Sequence, residues 1–317
     1  MAKKAYRVRN WNKYNEALVN RGSITFWFDE EAIKNWHKIE QQNKRGRPKK
    51  YSDLAITCGL TLKAIFKLPF RAVEGFITSL VKVLKLEIET PDYTLLCKRQ
   101  KNLNISLQTR QLNPGEKLVI LVDTSGLKVF GEGEWKVRQH GYVKHRLWRK
   151  LHLAINEKHQ IESFELTELG IQDCEGFDLL IKNIDKEIDS AIGDGAYDRF
   201  RCYELAQKNN FKMIAPPQKN AATSYETRKK KKRVSQEALA KRDEAVMEVR
   251  KLGAKAWKEK IGYHRRSLAE TAMFRIKTMI GNRLSTRLIA NQRTETAIWC
   301  SALNKMTTLG MPNSVAI

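Results

Sequence analysis

Apolar residues in the N-terminal third recur at helical spacing. Val73, Phe76, Ile77, Leu80, Val81 and Leu84 share one face of a helix that follows Pro69. Proline ends the helix before it, which Ser52 caps and which runs to about Lys67. Thr90 and Pro91 form an N-cap and first-turn pair for a third helix. Upstream, Asp29 caps the segment DEEAIKNWHKIEQ. From Lys117 the period changes. LVILVD is a short unbroken apolar run, the mark of a buried strand, and Asp123 stands at its end. Strand-like segments follow at 127–130, 135–140, 149–156 and 161–167, then the helix CEGFDLLIKNID. The strand AIGD ends at Asp194, and a helix over 198–209 and the strand FKMIAPP come next. After a polar helical stretch, a long helix surrounds Glu270 and a last one lies near 294–307.

Strands first, then strands alternating with helices, predict an α/β fold with a mixed sheet flanked by helices. The pattern divides the chain in two. Residues 1–110 form a helical domain of helix-turn-helix-like character, with a basic linker at 43–51. Residues 111–317 form the sheet domain, with a basic helical insertion at about 217–260.

Charge narrows the partner class. The chain of 317 residues carries a net charge of +24 and has a pI near 9.8. An excess that large suits a polyanion, because Lys and Arg neutralise phosphates and release counterions. The five cysteines are scattered and include no CxxC pair, which excludes a disulfide framework and a zinc site. Reduced thiols, no apolar run of membrane-spanning length and no secretory leader in MAKKAYRVRNW predict a cytoplasmic protein.

Three carboxylates then stand out. Asp123 ends an apolar run, although an Asp before Thr-Ser-Gly also reads as a turn residue. Asp194 lies at a strand-to-helix junction, where active-site groups gather in open sheets. Asp198 reads as a cap of the following helix. Relative to Glu270, Tyr263, Arg266 and Lys277 lie at −7, −4 and +7, on one stripe of a single helix. Arg266 reads there as a phosphate clamp rather than as an intrahelical partner of Glu270. Three carboxylates beside two cations and a phenol suit two hard divalent ions, Mg2+ above all, that stabilise the attacking and leaving oxygens of a phosphodiester displacement. The order of the three acidic positions fits an RNase H-like core, in which they converge at one sheet edge.

Basic and aromatic residues mark the expected DNA contacts. WKVRQHGYVKHRLWRK contains no acidic residue and interleaves Lys136, Arg138, Lys144, Arg146 and Arg149 with aromatic rings, Trp148 among them. Lys98 and Arg99 lie on the third helix. Arg45-Gly46-Arg47-Pro48 is similar to an AT-hook core. RKKKKR (228–233) reads as a solvated run touching DNA non-specifically.

The four helix residues match the Y-x2-R-x3-E-x6-K signature at every spacing. With GDGAYD, YRVRNWNKYNEALVNRGSITFWF and GEGEWKVRQHGYVKHRLWRKLHL, the chain resembles DDE transposases of bacterial insertion sequences, of the IS-five-like family in the IS-four-like superfamily. The likeness runs from about residue 6 to 308. It implies an RNase H-like catalytic domain with Asp123, Asp194 and Glu270 as metal-binding triad, two Mg2+ ions with Mn2+ as substitute, and cleavage and joining of transposon ends. It implies that Tyr263, Arg266 and Lys277 hold DNA and that N-terminal helices read inverted repeats in double-stranded DNA. It also implies a homodimer in the synaptic complex and a nucleoid-associated protein. Asp-Thr-Ser-Gly replaces the expected Asp-Ser-Thr-Gly. A nuclease or resolvase on the same core, and a non-catalytic DNA-binding protein derived from a transposase, are the alternatives.

Overall fold

A computed structural model of the chain describes residues 6–37, 49–129, 148–226 and 235–316. It divides into two compact units, Met1–Gln108 with Thr286–Ile317, and Thr109–Ser285.

The first unit contains β1 (Tyr6–Val8), α1 (Trp11–Asn20), α2 (Ile24–Trp27), α3 (Glu30–Lys34), α4 (Asp53–Ile65), α5 (Phe70–Val83) and α6 (Tyr93–Gln100). Ser52 caps α4 by accepting from the Ala55 amide at 3.0 Å. Asp29 caps α3 in the same way at 2.9 Å, but α3 stops at Lys34, short of the predicted helix. Beyond it the Trp36 ring is fully buried, and its indole donates to the Glu89 carbonyl at 2.7 Å. The cap of α6 is Asp92 rather than Thr90: one carboxylate oxygen accepts from the Thr94 and Leu95 amides at 2.8 and 2.9 Å. Val73 and Ile77 bury the middle of the α5 stripe, while Val83 and Leu84 at its end are exposed.

The second unit is built on β2 (Leu118–Val129), β3 (Trp148–Asn156), β4 (Ile161–Glu168), β5 (Ile188–Ile192), β6 (Lys212–Ile214) and β7 (Arg283–Leu284). The strand order is β4-β3-β2-β5-β6, with β7 beside β2. β2, β3 and β4 are antiparallel neighbours, and β5, β6 and β7 run parallel to β2. Helices α7 (Asp173–Lys182), α8 (Phe200–Lys208), α9 (Gln236–Leu252), α10 (Ala254–Lys260) and α11 (Ser267–Arg275) flank this sheet. The expected mixed α/β architecture is what forms.

LVILVD and the strand expected at 127–130 are one strand of twelve residues. Asp123 therefore sits in mid-strand, not at a strand end or in a turn. Gly126 stays extended there, and a Cβ on it would come within 3.2 Å of the Trp148 ring. The strand expected at 135–140 lies outside the described residues. Alternate side chains of β2 go to opposite faces. Ile120 and Val122 join Phe177, Tyr197 and Cys202 in a core with α7 and α8, whereas Asp123 and Ser125 meet residues of α11 and its flanks. Both faces are covered, hence the unbroken apolar run.

The helix around Glu270 is not uniform. A 3-10 turn, Tyr263–Arg266, leads into α11, and a π segment, Ile276–Ile280, follows it. The last helix, α12 (Ile289–Leu309), groups with the first unit, where the sequence pattern assigned it to the sheet domain. Lys305 pairs with Asp29 at 2.6 Å, and Asn304 donates to the Gln108 carbonyl at 3.2 Å. The terminal strand β8 (Ser314–Ala316) pairs with β1.

Candidate active site

The ladder of β2 leaves an opening. On one side β5 pairs with Leu118–Leu121 and β7 with Lys128–Val129, and Asp123 lies in the stretch between them. Asp194 follows the end of β5, where the Gly193 amide still donates to the Ile214 carbonyl at 3.0 Å. The Asp194 carboxylate then caps the 3-10 turn Gly195–Tyr197, accepting from the Ala196 amide at 2.9 Å. This is the crevice at strand carboxyl ends where open sheets place their ligands.

The signature residues close on it from the other side. The Arg266 guanidinium donates to Glu270 and stands 3.7 Å from the Asp123 carboxylate. The expected choice between phosphate clamp and intrahelical partner is thus corrected: Arg266 does make the i,i+4 pair, and it reaches the strand aspartate as well. Lys277 donates to the Ser125 hydroxyl. It sits in the π segment, whose wider turn changes the phase that a straight α-helix would impose. The Tyr263 ring lies 5.9 Å from the Arg266 guanidinium and 5.2 Å from the Lys258 ammonium.

Electrostatics agree with this neighbourhood. Burial pushes the Asp123 carboxyl above its ordinary pKa, and repulsion from Asp194 and Glu270 adds to the rise; a hydrogen bond from Thr124 and the Arg266 charge oppose it. Burial also raises the Tyr263 phenol, so it stays protonated at neutral pH. Burial works against the Arg266 charge, but Tyr263, Glu270, Asp123 and Asp194 outweigh it and raise its pKa. Among the described residues, no three His, Cys, Asp or Glu side chains are gathered tightly enough to form a ready-made metal cluster. The three carboxylates share one field, but they repel, and Arg266 supplies the positive charge between two of them. As a donor set, carboxylates without thiolate or imidazole fit a hard divalent ion. Burial pushes the Cys58 and Cys202 thiols up to about 12, which keeps these two unreactive at neutral pH.

The other expected DNA contacts divide. Arg99 donates to the Tyr51 carbonyl and to Asp53. Arg149 is mostly buried and lies 3.5 Å from Glu168. Lys98 is exposed, and Trp148 lies under the Lys128 ammonium at 5.6 Å. Arg45, Arg47, Lys136, Arg138, Lys144 and Arg146 lie outside the described residues.

Sequence reasoning missed two features. Asp198 does not cap α8, whose N-cap is Arg199; it takes two hydrogen bonds of 2.9 Å from Arg242 of α9. His152 bridges Thr124 and Thr167, at 3.0 and 2.9 Å. The visible signals were GDGAYD itself and a glycine, Gly176, in mid-helix.

No described helix is long and apolar enough to cross a membrane. Two family models, each described as "Transposase DDE domain", match residues 19–132 and 114–305. The structure of the Mos1 transposase paired-end complex with left transposon end matches at 8% identity, covering 69% of this chain and 82% of that one, with a TM-score of 0.22. That likeness is too weak to bear on fold or function. The second family match spans well over half of the residues and includes Asp123, Asp194 and Glu270, and the chain therefore belongs to the DDE transposase family.

Proposed function

We propose that this transposase serves an insertion sequence of the IS-five-like type. It binds terminal inverted repeats in double-stranded DNA, hydrolyses a phosphodiester at each end and joins the 3′-hydroxyl to target DNA. The observation that carries this reading is the meeting of Asp123 and Glu270 at Arg266, with Asp194 in the same field. DDE transposases are divalent-metal dependent. Asp123, Asp194 and Glu270 would hold two Mg2+ ions, for which Mn2+ substitutes. Bound there, the ions supply the charge that activates the attacking oxygen and stabilises the leaving one.

The chain's own residues do the rest. Arg266 offsets part of the negative charge of Asp123 and Glu270, and its planar fork suits a DNA phosphate. Lys277 is held by an uncharged hydroxyl, Ser125, so its own charge is available to the backbone. Tyr263, protonated, donates a hydrogen bond or stacks beside the flanking strand. Lys98 and the N-terminal helices contact the repeats, and two copies act on the paired ends as a homodimer at the nucleoid.

The test is cleavage of a supercoiled donor carrying the cognate ends, with Mg2+. Asp123→Asn and Glu270→Gln are expected to bind ends yet cut at least ~100-fold more slowly. Cutting at the wild-type rate by either variant would remove the triad. End binding is also expected to fall steeply with salt, by about 10³-fold or more between 50 and 200 mM if six or more phosphates are contacted.

A further inference from the structure

A chain of hydrogen bonds crosses the sheet face opposite the carboxylates. The Tyr197 hydroxyl is 2.9 Å from Thr124 Oγ1. Thr124 Oγ1 is 3.0 Å from His152 Nδ1, and His152 Nε2 is 2.9 Å from Thr167 Oγ1. The Thr167 hydroxyl donates to the Glu168 carbonyl at 3.3 Å. The imidazole, bonded through both ring nitrogens, joins the two threonine hydroxyls, and the Tyr197 hydroxyl extends the chain. Burial keeps the imidazole neutral, with its pKa lowered to about 4.

The two ends of the first bond bracket the two aspartates. Thr124 follows Asp123 on β2. Tyr197 belongs to the turn that Asp194 caps, and its amide donates to the Asp194 carbonyl at 3.0 Å. Its ring folds onto Gly193, where a Cβ would lie 2.7 Å away. On the other side, a Cβ at Gly176 would lie 2.3 Å from the His152 ring. Close packing on both glycines leaves these rings little freedom to shift.

We propose that Tyr197, Thr124 and His152 are positioning residues that set the separation of Asp194 from Asp123 for divalent-metal binding. This rests on the triad reading of the preceding section. None of the three contacts the reacting atoms; each acts from the far face of the sheet through the backbone of β2 and of the Asp194 turn. Outer groups of this kind tune a metal site by orienting its ligands.

The experiment is calorimetric titration of the full-length protein with Mn2+ alone, alongside thermal melting and the Mn2+ midpoint for donor cleavage. Tyr197→Phe keeps the ring and loses the hydroxyl; Thr124→Val keeps the shape and loses the hydroxyl. Both are expected to weaken Mn2+ binding by roughly 10–100-fold, to move the cleavage midpoint by the same factor, and to recover cleavage at saturating Mn2+. Thr124→Ser restores the hydroxyl and is expected to restore affinity. Lowered melting with unchanged Mn2+ affinity would reduce the chain to packing alone. If Tyr197→Phe does not fold, the Val and Ser variants at Thr124 decide. Asp194→Asn separates the two readings. Wild-type Mn2+ binding by that variant would overturn the triad. Loss of binding there, with wild-type affinity in Tyr197→Phe and Thr124→Val, would overturn the positioning role only.

Discussion

Arg242 of α9 holds Asp198 through two parallel hydrogen bonds of 2.9 Å, with the carboxylate almost wholly buried. Asp198 stands just past the turn that Asp194 caps. The pair therefore ties α9 to the loop carrying Asp194. Burying two charges is costly, and only their mutual geometry and hydrogen bonds offset it.

Removing one partner leaves the other charge buried and uncompensated. Asp198→Ala is expected to destabilise the fold by about 3–5 kcal/mol. Replacing the pair together, Asp198→Leu with Arg242→Met, is expected to cost less than either single change. Urea denaturation of the four proteins checks this as a double-mutant cycle.

Gly176 makes room for His152. Gly176→Ala is expected to destabilise by about 1–3 kcal/mol, since its Cβ has nowhere to go without moving the imidazole or α7. Adding His152→Ala to it opens that space, so the two changes are expected to be non-additive, with a coupling of about 0.5–3 kcal/mol. Additive losses would mean that ring and helix do not press on each other.

The imidazole also predicts a pH dependence. His152 is neutral in the fold, with its pKa depressed to about 4 by burial, against an unfolded value near 6.5. Between those values the unfolded chain binds the extra proton, so stability falls as pH drops through that window. The loss amounts to roughly 3 kcal/mol by pH 4. Equilibrium unfolding from pH 7 to 4 measures it, and His152→Gln is expected to flatten this part of the curve.

Asp123 carries the opposite sign. Its pKa is raised by burial, so the protonated form favours the fold, and that contribution is lost as pH rises through the folded value. In metal-free buffer at neutral pH, Asp123→Asn is expected to melt higher than the wild type, and the difference is expected to vanish in acid. Divalent metal reverses the order. At a concentration a hundred times its Kd a bound ion stabilises the native state by about 2.7 kcal/mol, and Asp123→Asn is expected to forfeit this. Melting with and without Mn2+ reads both effects.

Much of this molecule was legible in local sequence. Helix caps at Asp29 and Ser52 and the buried run at Leu118 depend on neighbours within a few residues. Period, cap chemistry and charge act at that range, so they survive being read one segment at a time.

Tertiary structure decided what depends on partners far along the chain. The run at LVILVD does not end at Asp123, because β3 pairs with β2 through Lys128 and holds Thr124, Ser125 and Gly126 extended. Arg266 meets Asp123 across more than a hundred positions, and a local spacing cannot show which of two carboxylates a guanidinium will reach. Asp198 had a local reading, a helix cap, but Arg242 offers its charge a buried partner that water does not. His152 was one basic residue among many in the sequence. Its role follows from cross-strand register with Thr124 and from a glycine in α7. The sequence by itself determined the kinds of element and the chemistry they carry. Folding decided which side chains desolvate each other, and the free energy of buried polar groups is set there.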